Sequence, residues 1–398
     1  MLIVAALFSI GWIVPARELA ELSSREAPLQ WPAEPYLLRT GSMEGSSDEL
    51  FRCERDSVLC RLRLSPPEGS LTVYGPQADI PLRTIPIEAL FLPAERFSNT
   101  HPASLGKPLV FKAGERVVWK HAGSKSAHYA LREWPAGAPA IAEASAGQLA
   151  RARELFSAPP ELPDGTLCFQ YSLSENDPAG TLMCVDDKRA RGPACVSSIV
   201  LRVDGPDAEE NVKFLFVRLR FDGEETVVAP LRALFRSVEL DPRMRARSGR
   251  DFALRWKMPY REKLDFLIEN LGPPTTHVSG ALYTSPWNWD ERSLHFAAIW
   301  LPAKAPARLT IEGQGALLGI APAVATREAF LLRATADERA LEMYSGIALL
   351  DRLLFRERLT LELEPLGQTL ALLGVRPGAK LPLREARPED WESLSREP

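Results

Sequence analysis

Three short blocks occur twice in the same order along this chain, which confines it to a repeated β architecture. The first copy runs SLTVYGPQADIPLRTIPIEALF (Ser70–Phe91), PLVFKAGERVVWKHAG (Pro108–Gly123) and HYALREW (His128–Trp134). The second runs FLFVRLRFDGEETVVAPLRALF (Phe214–Phe235), MPYREKLDFLIENLG (Met258–Gly272) and GALYTSPW (Gly280–Trp287). The copies lie about 150 residues apart, close to one domain length. Within each block apolar residues alternate with polar ones over a few positions, and Gly, Pro, Asn or Asp closes the run, as strands demand. In Phe214–Phe235 the DGEE turn splits two such runs into a hairpin, with Val227–Phe235 as the returning strand. The expectation is an all-β protein of two tandem jelly-roll (β-sandwich) domains with a short connecting helix.

A chain of 398 residues has room for two or three domains, and 45% hydrophobic residues suffice for packed cores. The first jelly roll with its lead-in is expected at 17–138 and a helical linker at 139–165, where PAIAEASAGQLARARELF is stopped by PPELPDG. The second jelly roll with C-terminal strands follows at 166–375, then a charged tail at 376–398. Within the C-terminal part LLFRERLTLELEP reads as a late strand, Arg327–Glu342 as a helix or a strand pair, and ADERALE (Ala336–Glu342) as a solvated helix face.

Basic and acidic residues number 48 and 52, the net charge is −4 and no basic block stands out, which excludes nucleic acid as a partner. No GxSxG, Walker A, GxGxxG or HExxH pattern occurs, GQGALLG (Gly313–Gly319) reads as a turn between strands, and no cofactor is expected. Met1–Ala16 is an uncharged apolar run too short to span a bilayer, so no stable membrane span is expected. It suits a secretory signal, a misplaced start or a buried N-terminal segment, and a secreted or periplasmic location is preferred to a cytoplasmic one. The five cysteines allow two local disulfides, Cys53 with Cys60 and Cys168 with Cys184, leaving Cys195 free in an exported protein; five reduced thiols would suit the cytoplasm. Their spacing matches no metal site.

Trp287, Trp289, Asp290, Glu291, Arg292 and His295 crowd together in SPWNWDERSLHF. Indole faces stack on sugar rings while Asp, Glu and Arg bond hydroxyls, so these six are the candidate substrate-binding residues. Trp and His alternating along a strand serve equally as core residues, and that structural reading is the preferred one.

The ordered set PEGSLTVYG, IPIEALF, PLVFKAGERVVWK, HYALREWPAG, then FVRLRFDGEETVVAPLRALF, RWKMPYREKLDFLIENLG and PWNWDERSLHFAAIW resembles the glycoside hydrolase family of difructose-dianhydride synthase/α-D-fructofuranosidase and exo-α-D-arabinofuranosidases. The resemblance covers Glu68–Trp300 and resumes at Tyr344–Glu364. It implies tandem jelly rolls, a homotrimer or a multiple of one, and a carbohydrate ligand. That family carries its catalytic carboxylates after the counterpart of HFAAIW, in a stretch rich in Trp, Gly and Glu followed by a Gly-Thr-Glu-Asp type motif. Leu301–Met343 contains neither; its acidic residues are Glu312, Glu328, Asp337, Glu338 and Glu342. A retaining glycosidase needs two carboxyls about 5 Å apart. The expectation is a divergent, catalytically degenerate relative that acts in carbohydrate binding or assembly, the alternative being an active exo-glycosidase on fructofuranosides or arabinofuranosides with relocated carboxylates.

Overall fold

The computed structural model describes residues 29–32, 36–45, 48–65, 68–77, 80–87, 109–121, 125–134, 166–173, 191–205, 211–236, 252–271, 277–302, 307–322, 331–344, 352–363 and 369–384. The apolar N-terminal run, the linker helix, Cys184, Glu328 and the end of the charged tail lie outside them. Strands dominate, and the jelly-roll reading holds.

The first unit comprises β1 (Leu37–Gly45), β2 (Glu49–Arg52), β3 (Ser57–Ser65), β4 (Ser70–Tyr74), β5 (Pro81–Pro86), β6 (Leu109–Phe111), β7 (Arg116–Lys120) and β8 (Lys125–Glu133). They pair as two four-stranded sheets, β1-β8-β3-β6 and β2-β7-β4-β5, which is the jelly-roll order. Between the sheets sits a core of Leu59, Leu62, Leu71, Val73, Phe111, Val117 and Trp119. Strand β1 falls within the lead-in expected ahead of the first jelly roll.

The second unit repeats that pairing with β9 (Thr166–Leu173), β10 (Ala194–Asp204), β11 (Leu215–Phe221), β12 (Glu224–Pro230), β13 (Phe252–Leu254), β14 (Met258–Tyr260), β15 (Leu264–Asn270) and β16 (His277–Pro286). The order β9-β16-β10 with β14 also on β10 matches β1-β8-β3-β6, and β15-β11-β12 matches β7-β4-β5. In β11 burial alternates from Val217 onward: Val217, Leu219 and Phe221 are buried, while Arg218 and Arg220 point out to Glu225 and Glu269; at the start of the strand Leu215 and Phe216 are both buried. The returning strand stops at Pro230, and Leu231–Arg236 is helix α1, not strand. The helix lays Leu231, Leu234 and Phe235 into the core, a spacing of three and four that the flanking strand disguised.

The strands beyond the second unit form a third set with the same order. They are β17 (His295–Leu301), β18 (Ala307–Glu312), β19 (Gly315–Pro322), β20 (Leu331–Ala336), β21 (Arg339–Tyr344), β22 (Leu353–Phe355), β23 (Arg358–Leu363) and β24 (Thr369–Val375). Their pairings β17-β24-β19-β22 and β18-β23-β20-β21 reproduce those of the first unit strand for strand. ADERALE is therefore the tip of the β20–β21 hairpin and not a helix face: Asp337 and Glu338 both take positive φ, 48° and 70°, as a two-residue type I′ turn requires. Of GQGALLG only Gly313 and Gln314 form the turn between β18 and β19; Gly315 to Gly319 are the first half of β19, a correction to the turn expected over the whole stretch.

The second and third units share one seven-stranded sheet, β15-β11-β12-β17-β24-β19-β22. The join is parallel, with Val227 opposite Ala298 and Val228 opposite Ile299. Phe296, Ala298 and Trp300 of β17 face the core of the second unit, whereas Ala297, Ile299 and Leu301 face that of the third. Every residue of β17 and β24 is consequently buried. The first unit leans on the third: β1 lies against β21 and β22, and Leu38 and Ala130 enter the third unit's core.

The cysteines correct a sequence expectation. Cys53 is a buried free thiol, not half of a disulfide with Cys60. The strands flanking it, β2 and β3, belong to opposite sheets and form no hairpin, so the facing arrangement expected for the pair never arises. Burial pushes the Cys53 thiol up to about 12, against a hydrogen bond with Ser57 that lowers it. Cys195 is also a buried free thiol, and its Sγ lies 3.1 Å from the Ser285 hydroxyl.

Candidate functional site

The expected sugar-binding loop, Trp287 to His295, runs from the end of β16 into β17, and its polar groups are spent on holding its own shape. Trp287 is buried and its Nε1 donates to the Ser293 hydroxyl at 3.0 Å. The Ser293 hydroxyl also accepts from the Asp290 amide and donates to Asp290 Oδ1, both at 3.1 Å. Asp290 Oδ1 accepts the Arg292 amide at 2.9 Å. This is an Asx-type turn, the usual employment of Asp and Ser in a tight loop.

Arg292 reaches the other way, its Nε donating to the Trp31 carbonyl at 2.9 Å. Backbone bonds from Trp31 N to Arg292 O (2.6 Å) and from Leu294 N to Leu29 O (3.0 Å) complete the attachment. The loop is thus a staple for the segment entering the first unit. Asn288, Asp290 and Glu291 are exposed and Trp289 and Arg292 half-buried, so of the six candidates Trp287 and His295 alone are withdrawn from solvent.

His295, 0% exposed, is the first residue of β17 and belongs to a second arrangement centred on Asp222. Asp222 and Gly223 form the β11–β12 turn with φ of 54° and 87°, the DG signature of a type I′ hairpin. That turn points the carboxylate at the loop between β14 and β15. Asp222 Oδ1 accepts from the Glu262 amide at 2.6 Å and the Lys263 amide at 2.9 Å, and Oδ2 accepts from the Arg261 amide at 2.9 Å. His295 Nε2 lies 2.9 Å from Oδ2. Burial alone would push the Asp222 carboxyl up; the hydrogen bonds from His295 and from the Lys263, Arg261 and Glu262 amides outweigh it and hold the group well below the usual carboxylate range. An ionised carboxylate only accepts, so Nε2 carries the hydrogen. Nδ1 has no hydrogen-bond partner, and the ring lies 5.2 Å from Trp289 and 5.6 Å from Phe221.

A carboxylate that orients an imidazole is the base half of a catalytic triad. Here the imidazole is sealed from solvent and its partner's lone pairs are taken up by three amides, so the pair works as a clasp between the β11–β12 turn of the second unit and the first strand of the third. The third unit contains the same device without the histidine. Asp337 accepts from the amides of Arg356 (2.8 Å), Glu357 (2.9 Å) and Arg358 (3.1 Å). Burial pushes the Asp337 carboxyl up, but those amides, helped by Arg339, bring it below the usual range. In the first unit Asp56 plays a related part from the turn before β3, accepting the Ala113 amide at 3.0 Å and Lys112 Nζ at 3.1 Å. The DG turn is legible in sequence; what its carboxylate grips is not, because the gripped amides lie some forty residues further on.

The remaining acidic candidates fare similarly. Glu312 is exposed and bonded to Lys380 Nζ at 2.9 Å, which draws its carboxyl below the usual range. Glu338 stands exposed at a hairpin tip. Among the described residues no group of three His, Cys, Asp or Glu could hold a metal ion, and no helix is long and apolar enough to cross a membrane.

These features define an all-β protein of linked jelly rolls braced by aspartate-clasped turns. No family profile and no curated protein matches the chain. Among solved structures it is similar to the major capsid protein P2 from bacteriophage PM2, at 11% identity and a TM-score of 0.29, over 53% of this chain and 99% of that one.

Proposed function

We propose that this protein is a noncatalytic jelly-roll relative of the furanoside-acting glycoside hydrolases, working by assembly rather than by bond cleavage. The observation that carries the reading is the employment of its carboxylates: Asp222, Asp290 and Asp337 each hold a turn through amides. General acid/base work needs a carboxyl free to exchange a proton with substrate, and losing such assistance costs roughly 10²–10⁴-fold. A sugar would be met by Trp289 with Asp290 and Glu291, which lie on the solvent-facing side of the loop. Self-association into trimers or their multiples is the assembly the resemblance implies.

The test is a panel of aryl furanosides and pyranosides with purified protein, beside light scattering across concentration. The expected outcome is no turnover together with a mass above that of one chain. Turnover that vanishes in Glu312→Gln, Glu328→Gln or Glu338→Gln would overturn the reading and identify a relocated catalytic carboxylate.

A further inference from the structure

Among the described residues one sheet edge has no strand against it where its counterparts do. In the second unit the edge strand β12 is paired with β17, the first strand of the third unit. In the third unit the equivalent strand β21 has β1, the first strand of the first unit, lying against it. Two of the three edges of this kind thus meet the first strand of another unit. The remaining one is β5, in the first unit, which among the described residues pairs only with β4. Ile80, just before it, and Leu82, near its start, are 76% and 59% exposed, the most exposed large hydrophobic residues among those described. The matching first strand left over is β9 of the second unit, which among the described residues pairs only with β16.

We propose that β5 of one copy of this chain pairs with β9 of a second copy, repeating between molecules the junction that β12 and β17 make within one. The inference rests on the assembly reading above and names its surface. An edge strand offers unpaired amides and carbonyls as a template, and aliphatic side chains on that edge gain from being covered. Because β5 and β9 are different strands, the contact is heterologous: every copy keeps one of each to offer, so association continues into a ring or a chain of molecules. β17 joins its neighbour in parallel, and the same orientation is expected here.

Full-length protein is compared with Leu82→Lys and Ile80→Lys by light scattering over a concentration series, with thermal melts as a check on folding. Hydrogen exchange is then read at 81–86 and 166–173. The expected result is concentration-dependent association, weakened roughly tenfold by each substitution with the melt unchanged, and slower exchange in both segments in the associated state. Association that survives both substitutions, or protection at 81–86 without 166–173, overturns the β5–β9 pairing while leaving the assembly reading intact. A single chain at every concentration overturns both.

Discussion

Asp222 shows how one carboxylate can join parts of the chain distant in sequence. It gathers three amides of the Arg261–Lys263 turn and the His295 ring. Truncation leaves all four donors short of an acceptor, and Asp222→Ala is expected to cost about 2–4 kcal/mol by urea denaturation. Asp337→Ala, which strands three amides and no histidine, should cost less. Because the folded-state carboxyl titrates below its unfolded value, its contribution is complete above the ordinary carboxylate pKa of about 3.9 and is lost as pH falls towards the folded value. Wild-type stability should therefore drop more steeply below about pH 5 than that of Asp222→Asn. Equal slopes in the two proteins would refute the clasp.

At the scale of elements the two type I′ hairpins make a natural comparison. The β11–β12 turn is Asp222-Gly223, whereas the β20–β21 turn is Asp337-Glu338, with Glu338 held at φ 70°. An L side chain in the left-handed region costs about 1 kcal/mol that glycine avoids. Glu338 is exposed, so Glu338→Gly is expected to stabilise the protein by about 0.5–1 kcal/mol, read as a raised thermal midpoint. A lowered midpoint would mean that the Glu338 side chain makes an interaction outweighing its strain. The glycine at this turn position in one hairpin and its absence in the other also explains their unequal legibility. DGEE announces a turn, while ADERALE carries the charges of a solvated helix face.

At the scale of the whole molecule the seven-stranded sheet binds two jelly rolls into one body. Removing the second unit would uncover Phe296, Ala298, Trp300, Leu370 and Leu372, all of which face its core. Residues 295–384 expressed alone are accordingly expected to aggregate or to lack a cooperative melt, although their strand pairing is complete. A soluble fragment with a sharp transition would show that the third unit needs no cover. In the intact chain the second and third units should melt in one step.

Sequence by itself determined the all-β class, the short strands and their turns, and the recurrence of one strand order, because one-sided burial writes an alternation of period two into β11 and its like. It left the third jelly roll unannounced. Its strands HFAAIWL and TLALLGV are buried on both faces, and an unbroken apolar run does not say which sheet will cover either side. The loop from Trp287 to His295 was ambiguous for a related reason. Residue types suited to a sugar are also those suited to a braced turn, and only the arrival of Trp31, Asp222 and the Ser293 hydroxyl decides which they become. Ser293 is local, but Trp31 and Asp222 come from distant parts of the chain and meet the loop only when the sheets close.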